Sequence, residues 1–218
     1  MEGTFEAMNA KLLIFDLDGT LVDSRADLAE GINHMRKSLG LEPLPLATVS
    51  QYVGNGVRKL VERSLQGAEV DVEEALRINK AYYFSHLTVH TSCYPGVRDG
   101  LRQLAEAGHT LALLTNKPGD PSREILKHFK IDRFFSSVIG GGDVANLKPE
   151  PDGVFQCLED SGMEASKAWM VGDHYTDLSV AKNAGIKSAF VRYGFGEERG
   201  FQPDVRFDSF PGLVEYFC

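Results

Sequence analysis

Short apolar runs recurring at helix-length intervals constrain this chain more than any other feature. Leu12–Phe15, Leu111–Leu114, Val138-Ile139, Trp169–Val171 and Ala189–Val191 are continuous rather than alternating. A strand reads that way when both of its faces are buried. Segments with helical periodicity separate the later runs: Pro121–Phe129, Pro151–Ser161 and Leu178–Ala184, with another at Val97–Ala107. Gly108, Gly162 and Gly185 stand where a helix would stop. Strands separated by helices of about 10–15 residues predict an α/β fold, a parallel sheet with helices on both faces.

The stretch from 24 to 90 carries no strand signal. Ser24 is suited to cap a helix running to Leu39, with Leu28, Ile32, Met35 and Leu39 on one stripe and Gly40 as its stop. Another helical piece starts near Ala47. Gly54-Asn55-Gly56 precedes Val57, Leu60, Val61 and Leu65 at helical spacing, and Val72–Leu87 forms a long final helix. Tyr94-Pro95-Gly96 is a turn signal marking the return to the alternating pattern. The expected organisation is a loose tail over 1–10, an α/β core from 11–22 and 91–218, and an all-helical insertion over 23–90.

Composition narrows the functional classes. The 218 residues carry a formal net charge of −8, which disfavours non-specific binding to nucleic acid or anionic membrane. No apolar stretch approaches the roughly 18–20 residues that span a bilayer. Met1–Ala10 has two acids and no basic residue, a poor leader segment. Cys93, Cys157 and Cys218 are odd in number, far apart and not beside an activating histidine, which fits a reducing cytoplasm. The expected localisation is cytoplasmic, as a monomer or homodimer.

The polar residues that follow the apolar runs converge. In open α/β sheets ligands sit at the carboxyl ends of the strands. Asp16 and Asp18 follow the first run, Thr115-Asn116-Lys117 the second, and Gly172-Asp173 the fourth. Asp16 and Asp18 would point to one side, about 6.6 Å apart along an extended chain. Acids that close call for a positive partner, and an oxygen-seeking divalent cation such as Mg²⁺ supplies one. Asp173 adds a third oxygen ligand, and Asp177, four residues on, comes back toward it by one helical turn. Thr115 offers a hydroxyl and Asn116 a backbone N–H. Lys148, in Leu147-Lys148-Pro149-Glu150-Pro151, is a cation stiffened by prolines. One metal, one lysine, one hydroxyl and a ring of carboxylates suit a phosphoryl group. A carboxylate nucleophile and a carboxylate acid/base complete the chemistry.

Asp16-Leu17-Asp18-Gly19-Thr20, the Thr115 strand end, Lys148-Pro149 and Gly172-Asp173-His174-Tyr175-Thr176-Asp177 resemble, in order, the four motifs of the haloacid dehalogenase superfamily. The resemblance runs from Lys11 to about Gly196. Val53–Gly56, Tyr94–Val97 and Gly108–Pro118 are similar to segments of its phosphoglycolate phosphatases, as is Phe134-Phe135 followed by Val138–Asp143. The resemblance implies a Rossmann-like core with a helical cap domain, and a small phosphorylated metabolite as substrate, 2-phosphoglycolate first. It implies Asp16 as nucleophile and Asp18 as general acid and base, with Asp18 also binding Mg²⁺ through its carbonyl. Thr115 and Lys148 would hold the phosphoryl group, Asp173 would complete the metal site, and Asp177 would support it or orient Lys148. Asn55 and Arg58 are the cap residues expected to meet substrate. His174 stands where relatives often carry serine, and is expected to face outward.

Other readings stay open at this point: a sugar-phosphate phosphatase, a pyrophosphatase, a phosphomutase or, outside enzymes, a phospho-accepting signalling module. A dehalogenase needs neither Mg²⁺ nor a second acid at Asp18. Receiver modules are about half this length and lack a helical insertion after the first strand.

Overall fold

The structure is a computed structural model that describes residues 10–218. The tail expected over 1–10 therefore lies, except for Ala10, outside the described residues.

Strand β1 (Leu12–Phe15) is the centre of a six-stranded parallel sheet. The others are β4 (Thr110–Pro118), β5 (Phe135–Gly141), β6 (Ala168–Gly172), β7 (Lys187–Val191) and β8 (Val205–Phe207). Their order is β5-β4-β1-β6-β7-β8. β1 pairs with β4 on one side, Leu13 opposite Leu111, and with β6 on the other, Leu13 opposite Trp169.

The period-2 alternation of a strand assigns every core residue to a face. Leu13, Phe15, Leu111, Leu113, Trp169 and Val171 point to one side. There they meet α5 (Val97–Glu106), α6 (Gly119–His128) and α9 (Phe210–Phe217). Leu12, Ile14, Ala112, Leu114 and Met170 point to the other, against α7 (Asp152–Ser161) and α8 (Tyr175–Ala184). Burial on both faces is why these strands appear as unbroken apolar runs. Gly100 is where α5 and α9 touch: a Cβ there would come within 2.6 Å of both Phe210 and Val214.

The chain leaves the core through β2 (Val22–Asp23) and returns through β3 (Ser92–Cys93). The two crossings pair antiparallel, Val22 opposite Cys93. Between them lie α1 (Arg25–Ser38), α2 (Leu46–Ser50), α3 (Val57–Leu65) and α4 (Val72–Phe84). These helices enclose their own apolar cluster, including Ile32, Met35, Val49, Val61 and Ala75. Asp27 of α1 ties the ends of this cap together. Its buried carboxylate accepts from the Thr91 backbone N–H at 2.8 Å, the Thr91 hydroxyl at 2.6 Å and the His90 N–H at 2.9 Å.

Ser24 corrects one expectation. It sits at the start of α1 without a side-chain capping bond, and its hydroxyl donates instead to Asp18 Oδ1 at 2.5 Å. β8 and α9 were not anticipated at all.

Candidate active site

β1 delivers the first acid. The Asp16 N–H still donates to Val171 O at 2.9 Å, so pairing with β6 carries Asp16 to the sheet's carboxyl edge. The chain then folds back on itself, with Leu21 and Val22 donating to Leu17 O. Gly19 takes φ +85°, and a Cβ there would overlap the Asp173 carboxylate. Only glycine permits both that conformation and that approach.

Lys148 is buried and fully engaged. Its Nζ lies 2.6 Å from Asp177 Oδ1, 3.1 Å from Asp16 Oδ1 and 2.9 Å from Leu114 O. Burial alone would discharge this ammonium, but Asp16 and Asp177 outweigh it and hold its pKa above the usual lysine value. Asn116 fixes the lysine's backbone. Its Oδ1 accepts from Lys148 N at 2.8 Å and its Nδ2 donates to Lys148 O at 2.9 Å. The same Nδ2 donates to Gly54 O of the cap at 2.9 Å. The Asn116 side chain is thus a brace between core, lysine and cap.

The carboxylates lie close together. Oxygens of Asp16, Asp173 and Asp177 fall within 4.8 Å of one another, and all three residues are buried. Burial, with Asp177 and Asp18 nearby, pushes the Asp16 carboxyl up to about 6 in spite of Lys148. Burial, Asp177 and Asp16 push Asp173 up to about 8, against the pull of the Gly196 and Phe195 N–H groups on its Oδ2. Buried acids with raised pKa values and oxygen-only donors fit a hard divalent cation, which would return them to the charged form. Asp177 is engaged on both oxygens, by Lys148 and by the His174 N–H at 3.0 Å. Asp16 keeps Oδ2 free of protein donors, its Oδ1 taking Lys148 and the Leu17 N–H, and Asp173 holds Oδ1 by a single 3.3 Å contact from the Thr20 hydroxyl, so these two carboxylates are the ones best able to turn an oxygen to a metal.

Asp18 faces another way. Lys117 Nζ sits 3.0 Å and 3.1 Å from its two oxygens and donates to the Tyr83 hydroxyl at 2.6 Å. Lys117 is buried, and Asp18 and Tyr83 keep it charged against the effect of burial. Tyr83 belongs to α4, so the cap reaches the acid through this lysine. Neither Lys117 nor Tyr83 carried a role in the sequence reading. The signal for Lys117 is its place in the polar carboxyl end of β4, just past the apolar run Leu111–Leu114.

Between cap and core is a cavity of about 540 Å³. Asp16, Thr115 and Asp173 line its core side, and Val57, Leu60, Arg63 and Tyr83 its cap side. Thr115 is buried, and its hydroxyl oxygen accepts the Lys117 N–H at 3.3 Å.

Two expectations are corrected here. Arg58 is exposed, pairs with Glu73 at 2.7 Å and does not line the cavity. One helical residue past Val57, it is turned about 100° from the face that Val57, Leu60 and Arg63 share. His174 does not face outward. It is buried, lines the cavity, and stacks its ring so closely on Gly54 that a Cβ there would lie 2.5 Å from it. Its Nδ1 meets the Thr176 hydroxyl at 2.8 Å at the start of α8, and burial pushes its pKa down to about 4. Asn55 is near the cavity without lining it: its Nδ2 donates to the Tyr175 hydroxyl and its Oδ1 accepts from Arg63, both at 2.8 Å.

Buried carboxylates beside a buried lysine at the switch point of a parallel sheet, under a layer of helices, are an arrangement suited to a phosphoric monoester hydrolase. Comparison with known proteins agrees. The chain belongs to the haloacid dehalogenase-like hydrolases, whose family model matches residues 13–191. It is 41% identical over 207 residues to a phosphoglycolate phosphatase of Pseudomonas fluorescens, covering 91% of this chain and 75% of that one. It is 37% identical over 221 residues to one of Psychrobacter arcticus, covering 96% of each. A crystal structure from Haemophilus somnus, described as a predicted phosphoglycolate phosphatase, superposes with a TM-score of 0.92 at 31% identity, over 96% of this chain and 99% of that one.

Proposed function

We propose that this protein hydrolyses 2-phosphoglycolate through an aspartyl-phosphate on Asp16, with Mg²⁺ as its cofactor. The observation that carries the reading is the pairing of Asp16 with Lys148 at 3.1 Å on the core side of a cavity of about 540 Å³. That volume lies in the range of small-molecule sites and admits a small phosphomonoester whole. The names of the relatives supply the substrate.

Asp16 attacks phosphorus, the bond from phosphorus to the ester oxygen breaks, and the leaving alkoxide takes a proton from Asp18. Asp18 then removes a proton from water, which attacks the aspartyl-phosphate and releases phosphate. Lys148 and Thr115 hold the phosphoryl oxygens, and Asp177 keeps Lys148 aimed. Asp16 and Asp173, with the Asp18 carbonyl, are the groups that would hold Mg²⁺, which would neutralise charge on the transferring group. The segment 23–90 acts as the cap domain over a core of 11–22 and 91–218, excluding water during reaction. Among the described residues no helix is long and apolar enough to cross a membrane. The free thiols support a cytoplasmic setting.

The test is phosphate release from a panel of phosphomonoesters, with and without Mg²⁺, by the native chain and Asp16→Asn. The expected result is Mg²⁺-dependent release, strongest on 2-phosphoglycolate and lost in the variant. Release that persists in Asp16→Asn would overturn the nucleophile. Release strongest on sugar phosphates would move the substrate.

A further inference from the structure

The cavity contains positive charge that the hydrolytic chemistry does not use. Lys148 is paired with Asp16 and Asp177, and Lys117 with Asp18. Arg199, at the exposed rim, lies over the Tyr175 ring at 4.5 Å and within 3.8 Å of Glu197. Arg63 differs from all of them. It is half-buried on the cap side, and among the described residues no carboxylate lies within ion-pair distance of it. One Nη donates to Tyr52 O at 2.9 Å and the other to Asn55 Oδ1 at 2.8 Å, both neutral acceptors. These bonds fix the guanidinium without neutralising it. Asn55 is itself held by the Tyr175 hydroxyl of the core. A half-buried guanidinium, fixed in place and with no carboxylate in ion-pair contact, Glu62 acting on it only from a longer range, is arranged for an anion that arrives with the ligand.

We infer that Arg63 is the specificity residue of this site and binds the carboxylate of the substrate, opposite the phosphoryl end. The inference rests on the phosphatase reading above and names the group that reading leaves unassigned. Asn55 is a positioning residue: it touches Arg63 rather than substrate, and its bond to Tyr175 links the arginine's placement to the seating of the cap. Val57, Leu60 and Arg63 follow one another at three-residue steps on the cavity face of α3. The wall is therefore apolar beside the arginine, which strengthens a charged contact there.

The experiment compares two esters of nearly equal size, 2-phosphoglycolate and 2-hydroxyethyl phosphate, which replaces the carboxylate with a neutral hydroxymethyl group. The reading is the ratio of their kcat/KM values in the native chain, Arg63→Met, Arg63→Lys and Asn55→Ala. We expect the native chain to favour 2-phosphoglycolate and Arg63→Met to cut that ratio about 50-fold, chiefly through KM, as loss of a charge-assisted contact does. Arg63→Lys restores part of the ratio, and Asn55→Ala lowers it by about 5-fold as the guanidinium loses its support. Thermal melting of each variant reports whether the cap stays folded. A ratio unchanged in Arg63→Met, or an equal fall on both esters, overturns the assignment and leaves the phosphatase reading standing. A native ratio near unity overturns the carboxylated substrate together with the arginine's role. No turnover of either ester by the native chain overturns the phosphatase reading itself.

Discussion

Lys148 sits where two acids and a carbonyl converge, its side chain 1% exposed. Removing its charge while keeping its bulk, as in Lys148→Met, leaves Asp16 and Asp177 facing each other without a counter-ion. Breaking a buried pair that way costs about 3–5 kcal/mol. Urea unfolding should show a loss in that range, and phosphate release should disappear. Asp18→Asn keeps the shape but cannot exchange the proton, and its single acceptor oxygen cannot replace the two that Asp18 offers to Lys117 and Ser24. It should lower kcat by about 10²–10⁴-fold and, because buried Lys117 loses its carboxylate, lower stability by about 3–5 kcal/mol, read by phosphate release and urea unfolding together. The residue scale is also where sequence reasoning stops. Asp16, Asp18, Lys148 and Asp173 stand in sequence contexts with few other uses. Which lysine meets which acid is different, because Lys117 and Asp18 are 99 positions apart and only the packed sheet brings them together. Arg63 and Tyr83 are ordinary helix residues in the sequence, and their roles come from the way the cap rests on the core.

Among the elements, the turn Val53–Gly56 governs the seating of the cap. Gly54 receives the Asn116 amide on its carbonyl, holds φ +109°, and lies against the His174 ring. Alanine at 54 meets both the strained backbone and the ring. Gly54→Ala should lower kcat/KM by about 10- to 100-fold with cap helicity retained, since a displacement of about 1 Å remote from the chemistry costs that much. Circular dichroism and steady-state kinetics check the two halves of that statement. If the obstacle is the His174 ring, adding His174→Ser should recover part of the loss, the backbone strain accounting for the rest. The outward orientation expected of His174 failed for this reason: its environment is built by a glycine 120 positions earlier. Strands β1, β4, β6 and β7 were legible because burial on both faces leaves an unbroken apolar signature. β8 has three residues at the sheet edge and α9 has eight, too few for a period to register.

At the scale of the whole molecule, the sheet buries acids at its carboxyl edge and sets them near one another, and the fold bears the cost. Asp16 is raised from 3.8 to about 6 and Asp173 from 3.8 to about 8. A carboxyl with a folded pKa above its unfolded value binds more protons when folded, so stability falls as pH rises across that interval. For the metal-free chain the loss from these two groups begins near pH 4, where both ionise in the unfolded state, and ends near pH 8, where both are ionised in the folded state too. A cation on Asp16 and Asp173 removes the repulsion and competes with the protons, so its stabilisation grows over the same window. Melting temperatures in EDTA should therefore decline from pH 5 to pH 8.5 by more than those in Mg²⁺, and the gap between the two curves should widen with pH. Asp173→Asn removes the group with the larger shift. It should flatten the EDTA curve and nearly close the gap, and a gap of native size in that variant would place the cation elsewhere than on the edge of the sheet.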